Sequence, residues 1–151
     1  MYTIYVAGQI VDKDIERATV WRRQVHEWAD LRGDIEIRDP LVGKKIGEIT
    51  ERKFTPNEIV SRDLQDIDDS DMVVANLTGL IKGNPLFGTP CEIMYAWIQG
   101  IPVVLITDEK RLQNHYWSNV LCVRILQDLS QALAYIESYW LRDEVVDVSV
   151  N

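Results

Sequence analysis

Short apolar runs that recur along the chain constrain its fold more than any other feature. Residues 2–7, 72–77 and 102–106 are almost wholly apolar and rich in β-branched or aromatic side chains. Runs of this kind are typical of strands buried on both faces of a parallel sheet. Two weaker segments, residues 35–37 and 120–125, predict two further strands.

Helical patterns separate the predicted strands. Apolar residues at spacings of three and four predict helices from residue 12 or 14 to about 31, and over about 56–68, 90–99 and 129–140. Strands that alternate with helices indicate a parallel sheet with right-handed crossovers. We therefore predict an α/β fold, a three-layer sandwich with a five-stranded parallel sheet of the flavodoxin or Rossmann-like type. Residues 41–54 have no clear period and predict a long loop or mobile lid.

Length and charge limit the kind of protein. The 151 residues, 46% hydrophobic and 26% charged, fit one globular domain, which we place at residues 1–141 with an acidic tail at 142–151. The formal net charge is −8, and no Lys- or Arg-rich run is present. Since duplex nucleic acids are bound through basic patches, we expect no such partner.

Neither a cofactor nor a membrane is indicated. Cys91 and Cys122 lack metal-ligand spacing, and His26 and His115 are too few and too far apart for a recognisable metal site. No Gly-x-Gly-x-x-Gly or P-loop pattern supports a dinucleotide or ATP site. The N-terminal apolar run lacks the basic segment of a signal peptide, and no apolar stretch is long enough to cross a membrane. We expect a cytoplasmic protein without metal, cofactor or membrane partner.

The stretch Thr89-Pro90-Cys91-Glu92 opens the helix after the central strand and permits two interpretations. Thr89 as N-cap and Glu92 three residues later fit a capping box, in which Glu92 bonds back to the backbone of Thr89. A carboxylate at this place, beyond the carboxyl ends of the strands, can also attack a sugar carbon. The residues alone leave both roles open.

Further polar residues fall where a ligand would bind. Ligands of open parallel sheets bind beyond the carboxyl ends of the strands, near the point where the strand order reverses. Gly8 and Gln9 follow the first strand, and Asn76 ends the central one, where it can orient a ligand or only cap the turn. The hydroxyl of Tyr5 can reach such a ligand, although most strand tyrosines only pack. Asp63 lies at the edge of an apolar helix stripe, so a solvated surface charge is its alternative role.

Six motifs occur in an order and spacing more specific than any one of them. They are Tyr5-Val6-Ala7-Gly8, Arg62-Asp63-Leu64, Val73-Val74-Ala75-Asn76-Leu77, Gly88-Thr89, Glu92-Ile93-x-Tyr95-Ala96 and Gly100-Ile101-Pro102-Val103-Val104. Together they resemble the nucleoside 2-deoxyribosyltransferase family, above all its compact phage and bacterial branch. The resemblance covers about residues 2–106 and implies a parallel five-stranded α/β sandwich.

The resemblance also implies roles for individual residues. Glu92 matches the nucleophile of the family, Asp63 an aspartate that contacts the nucleobase or leaving group, and Tyr5 a tyrosine that positions the nucleophile. The predicted substrate-binding residues are Gly8, Gln9, Asn76, Gly88 and Thr89. Members of the family complete their sites with residues of a neighbouring subunit, so we expect a homo-oligomer, a dimer or larger. An uncovered aromatic surface that includes Trp97, Tyr139 and Trp140 would be consistent with this expectation.

Three functions remain open for a nucleoside or nucleotide partner. The first is a transferase that cleaves the N-glycosidic bond of (deoxy)nucleosides through a covalent glycosyl-glutamate and transfers the sugar to another base. The second is a nucleoside or nucleotide N-glycoside hydrolase, although Gly8-Gln9 lacks the serine that such relatives often have. The third is a non-catalytic nucleotide-binding or signalling module. Family transferases carry a further acidic residue before the nucleophile, whereas residues 84–87 contain none, which favours the third function.

Overall fold

Five parallel strands form the centre of the molecule. The computed structural model describes residues 1–10, 14–42 and 53–141. The strands are β1 (Tyr2–Gly8), β2 (Ile35–Arg38), β3 (Met72–Asn76), β4 (Val103–Ile106) and β5 (Arg124–Leu126). They pair in the order β2-β1-β3-β4-β5, every pair parallel. The predicted α/β fold with a five-stranded parallel sheet is confirmed.

Helices connect the strands. They are α1 (Ile15–Arg32), α2 (Pro56–Asp68), α3 (Gly88–Ile98), α4 (Lys110–Gln113), α5 (Tyr116–Leu121) and α6 (Leu129–Tyr139). Asp14 caps α1, accepting a hydrogen bond from the Arg17 amide, and Gly33 ends it at a φ of 76°, in the left-handed region that glycine tolerates. Thr55 caps α2, with Pro56 at its first position.

Alternate strand residues enter two separate cores. Ile4 and Val6 of β1 belong to a core that α1 and α6 complete with Val25 and Ile136. The intervening residues face the opposite side, where Tyr5 lies in a second core. The other buried members of this second core are Ala7, Ile67, Val73, Ala75, Leu77, Ile93, Ala96, Val103, Leu105 and Cys122. Because successive strand side chains point to opposite faces, Tyr5 lies on the side of the sheet covered by α2 and α3.

Two expectations differ from the structure. The strand predicted at residues 120–125 begins later, because α5 extends to Leu121 and β5 starts at Arg124. The His115 ring caps the start of α5 by accepting a hydrogen bond from the Trp117 amide, and this helix includes Val120 and Leu121, the first two residues of the predicted strand. Of the three aromatic residues expected at the surface, Trp97 and Tyr139 are 47% and 56% exposed, but Trp140 packs partly against the first core.

Several predictions fall on other parts of the chain or stay untested. Most of the predicted lid, residues 43–52, and the tail at 142–151 lie outside the described residues. The domain limits of 1–141 therefore remain a prediction. Among the helices described, none is long and apolar enough to cross a membrane.

Candidate active site

The candidate site lies at the carboxyl ends of β1 and β3. In the observed strand order β1 lies between β2 and β3. The chain passes from β1 to β2 on one side and then crosses to β3 on the other side, so the strand order reverses here. Gly8 of β1 pairs with Asn76 of β3 in the parallel register. This is the switch point at which open α/β sheets bind ligands.

Tyr5 is a buried phenol near two carboxylates. Its side chain is 0% exposed, and its hydroxyl forms no hydrogen bond with any of the described residues. Burial raises the pKa of Tyr5 far above its ordinary value, and the charges of Glu92 and Asp63 raise it further. Tyr5 is therefore a neutral phenol that can donate to a carboxylate but cannot act as a base.

Glu92 does not belong to a capping box. Helix α3 begins at Gly88, its N-cap is Phe87, and no side chain caps it. Thr89 thus lies within the first turn, 5% exposed, and the expected N-cap role of Thr89 is wrong. Because the helix begins at Gly88, Thr89 occupies its second position and not the N-cap position. Glu92 extends toward the strand ends, with its Oε2 atom buried and its Oε1 atom 3.9 Å from where a Cβ on Gly88 would lie.

Three elements bring the predicted catalytic residues together. Tyr5 comes from β1, Asp63 from the middle of α2 and Glu92 from the first half of α3. Asp63 is partly buried, so the alternative of a fully solvated surface charge does not describe it. Its charge and that of Glu92 both act on the Tyr5 hydroxyl. The structure therefore places a phenol and two carboxylates close together at the switch point.

A cavity of about 340 Å³ adjoins Glu92. It is lined by Gly8, Gln9, Ile10, Asn84, Pro85, Leu86, Phe87, Gly88, Thr89 and Glu92. Four of the five predicted substrate-binding residues are among them. Its volume falls at the lower end of the roughly 300–1,000 Å³ typical of small-molecule pockets. Of the three predicted catalytic residues, Glu92 lines this cavity and Tyr5 and Asp63 do not.

Asn76 faces a different cavity. Its Oδ1 atom accepts hydrogen bonds from the amide and the hydroxyl of Thr78, at 3.0 and 2.7 Å, and so caps the turn after β3. Asn76 lines a larger cavity of about 690 Å³ together with Gln9, Arg17, Trp21 and Asp108. Of the predicted substrate-binding residues, only Gln9 borders both cavities. Asn76 is thus separated from Glu92 by the loop after β1.

No metal-binding cluster is evident in residues 1–10, 14–42 and 53–141. Within these ranges, no three His, Cys, Asp or Glu side chains lie close enough together to hold an ion. The cavity beside Glu92 is instead lined by backbone, amide and apolar groups around one carboxylate.

No protein-family model and no curated protein sequence matches the chain. Solved structures do match it. A 2-deoxyribosyltransferase from Leishmania mexicana has a TM-score of 0.66 at 19% identity, over 92% of this chain and 99% of that one. A 2-deoxyribosyltransferase from Bacillus psychrosaccharolyticus has 0.61 at 17%, over 91% of each chain. A CMP N-glycosidase from Clostridium botulinum has 0.57 at 14%, over 91% and 99%. The fold is that of the 2-deoxyribosyltransferases.

Within this 2-deoxyribosyltransferase fold, one charged residue near the site was not predicted. Arg22 is 2% exposed and forms an ion pair with Asp39, which follows β2. A signal was present in the sequence, because Arg22 occupies the buried stripe of α1 with Ala18, Val25 and Ala29, at helical spacings of three and four. A charged residue on an apolar stripe indicates a buried partner.

Proposed function

We propose that the chain cleaves the N-glycosidic bond of a (deoxy)nucleoside through a covalent glycosyl-Glu92 intermediate and transfers the sugar to a second base. The observation that carries this proposal is the grouping of Glu92, Asp63 and a neutral buried Tyr5 beside a cavity of about 340 Å³. Support also comes from the fold, which two 2-deoxyribosyltransferases and a CMP N-glycosidase share.

In the first step, an oxygen of the Glu92 carboxylate attacks the anomeric carbon of the sugar. The bond from that carbon to the base nitrogen breaks through an oxocarbenium-like transition state, and its electron pair leaves with the base. Asp63, when protonated, donates a proton to the departing base. Tyr5 donates a hydrogen bond to Glu92 and orients the carboxylate for attack.

In the second step, an acceptor displaces Glu92 from the sugar. A nitrogen of the incoming base attacks the anomeric carbon, the ester bond to Glu92 breaks, and the carboxylate is regenerated. The proton of the incoming base passes to the Asp63 carboxylate, which restores the protonated form. Water in place of the base gives free sugar by the same path.

Hydrolysis is the second candidate, because the CMP N-glycosidase of Clostridium botulinum shares the fold. Residues 84–87 line the cavity but bring no carboxylate into it, so the further acidic residue of family transferases has no counterpart there. That absence favours a non-catalytic nucleotide-binding module, which is the remaining alternative.

The proposal includes assembly of the chain into a homo-oligomer, a dimer or larger. Trp97 and Ile98 on α3 and Tyr116 and Val120 on α5 are large apolar side chains that are 47–71% exposed. Exposed apolar surface of this kind supports association with another chain.

A substrate screen tests the function. Deoxynucleosides are incubated with a free base, and the products are separated by chromatography. Exchange of bases without net loss of nucleoside supports the transferase, whereas accumulation of free sugar supports the hydrolase. If neither occurs but nucleotides raise the melting temperature, catalysis is refuted and the binding module remains.

Matched variants assign the activity to Glu92. Glu92→Gln removes the nucleophilic charge at nearly constant volume, and we expect it to lower the rate by at least about a thousandfold. Glu27→Gln makes the same change at an exposed position of α1 and serves as the control. Equal rates for the wild type and Glu92→Gln would refute the covalent mechanism.

A further inference from the structure

Arg22 is a charged side chain inside the core between α1 and the sheet. It is 2% exposed and is among the largest fully buried side chains in the described part of the chain. A buried charge costs several kcal/mol unless it is paired and hydrogen-bonded. An arginine at this position therefore needs compensating contacts.

The contacts of Arg22 join the ends of two neighbouring strands. Its Nε lies 3.2 Å from Oδ1 of Asp39, the residue that directly follows β2. The Asp39 side chain is 4% exposed. The Arg22 Nη2 donates to the carbonyl of Gly8 at 3.4 Å, and its Nη1 donates to the carbonyl of Ala18 at 3.0 Å. The guanidinium carbon also lies 4.6 Å from the ring centroid of Trp21. Arg22 thus holds the end of β1 against the residue that follows β2.

Asp39 is itself fixed on several sides. Its Oδ1 accepts the Leu41 amide at 2.9 Å, and its Oδ2 lies 3.1 Å from Nε2 of His26. Because Asp39 is held by the chain after β2 and by α1, the guanidinium has one defined position. The pair is therefore a rigid link and not a surface ion pair.

The charge of Arg22 reaches the candidate catalytic groups. Burial lowers the pKa of Arg22, and interactions with Asp39, Tyr5 and Glu92 oppose this shift. The charge of Arg22 in turn lowers the pKa of Tyr5 and so offsets part of the rise that burial causes. A cation that interacts with a carboxylate favours its ionised form.

We infer that Arg22 is a positioning residue for the nucleophile, a role that rests on the proposed function. Through the Gly8 carbonyl and Asp39 it fixes the carboxyl end of β1, the strand that carries Tyr5. Through its charge it stabilises Glu92 as the carboxylate. Neither Arg22 nor Asp39 lines the cavity beside Glu92, so this role does not require contact with the substrate.

The charged and titratable groups around this arrangement come from several elements. Tyr5 on β1, Asp63 on α2 and Arg22 on α1 act together with Glu92 on α3. Around Arg22 itself, Asp39 follows β2 and His26 lies on α1. Removal of Arg22 takes this cation away from Glu92, which makes the ionised form of that carboxylate less favourable.

The test measures the pH profile of kcat and KM for Arg22→Met and Arg22→Lys on the substrate found in the screen. For Arg22→Met we expect kcat to fall by about 10- to 100-fold while KM changes less than about threefold. We expect the acid limb of its profile to move to higher pH. Arg22→Lys keeps the charge, so its acid limb should stay at the wild-type pH and part of the rate should return. Arg23→Met, on the exposed neighbouring position, is the control and should match the wild type.

A second variant keeps the test decisive if Arg22→Met folds poorly. Arg22→Met/Asp39→Leu removes both charges, so no unpaired charge stays buried. We expect it to fold and to show the same loss of kcat and the same shift of the acid limb. A folded variant with wild-type kcat and acid limb would overturn the role of Arg22 while leaving the proposed function intact. A wild-type protein that cleaves none of the substrates would overturn both.

Discussion

Gly8→Ala tests the packing that forms the end of β1. A Cβ at Gly8 would lie 2.8 Å from Cζ2 of Trp21 and 3.1 Å from the carbonyl oxygen of Asn76. Ordinary contact begins at 3.4 Å, so Trp21 would have to retreat by 0.6 Å and the backbone of β3 by 0.3 Å. The carbonyl is held in the sheet, and Trp21 packs against the first core and contacts Arg22, so neither moves freely.

The expected cost follows from this overcrowding. Inserting a methyl group into a packed site costs about 1–3 kcal/mol of unfolding free energy. For a chain of this length, that lowers Tm by about 2–4 °C per kcal/mol. Urea denaturation followed by circular dichroism measures the free energy, and the product assay measures the rate. We expect both to fall, because Gly8 lines the cavity and accepts a hydrogen bond from Arg22.

Gly88→Ala is the matched control. A Cβ there would meet only the Glu92 Oε1 atom, at 3.9 Å, which is ordinary contact. Alanine is also a better helix former than glycine by about 0.5–1 kcal/mol in a helix interior, so stability should be kept or rise slightly. If Gly8→Ala is as stable as Gly88→Ala, the close approach of Trp21 to β1 is wrong.

Other substitutions and reagents test separate parts of the structure. Tyr5→Phe should lower kcat by about 10- to 100-fold, because it removes the hydroxyl that orients Glu92 in the proposed mechanism. The wild-type rate should show no alkaline limb from Tyr5 below about pH 10, because burial, Glu92 and Asp63 raise the pKa of this phenol. Tyr95→Phe removes the 2.9 Å hydrogen bond that joins α3 to Asp68 at the end of α2, and urea denaturation should show a loss of about 0.5–1.5 kcal/mol. An aromatic disulfide reagent at about pH 8 should modify the exposed Cys91 in the native protein and Cys122 only after unfolding, because burial raises the pKa of Cys122 to about 12.

The sheet could be predicted because strands buried on both faces leave a continuous apolar run in the sequence. The segment at residues 72–77 became β3, all five of whose residues are buried. Apolar runs do not by themselves separate a strand from a short helix, and residues 120–125 show this ambiguity. There α5, whose start the His115 ring caps, includes Val120 and Leu121, the first two residues of the predicted strand.

The candidate site could be predicted only in part. Tyr5, Asp63 and Glu92 were predicted together because the order and spacing of their motifs resemble the nucleoside 2-deoxyribosyltransferase family, whose residue roles the resemblance implies for them. The position of Asn76 beside a second cavity and the pairing of Arg22 with Asp39 depend on the tertiary fold. Arg22 and Asp39 are 17 residues apart in the sequence, and the packing of α1 against β2 brings them together.

The covalent intermediate on Glu92 is the most direct test of the proposed chemistry. The protein is mixed with a deoxynucleoside without an acceptor base, quenched in acid, and examined by intact-mass spectrometry and peptide mapping. We expect a mass increase equal to one deoxyribosyl group, located on Glu92 and absent from Glu92→Gln. Turnover without any adduct on Glu92, combined with unchanged turnover by Glu92→Gln, would contradict the mechanism.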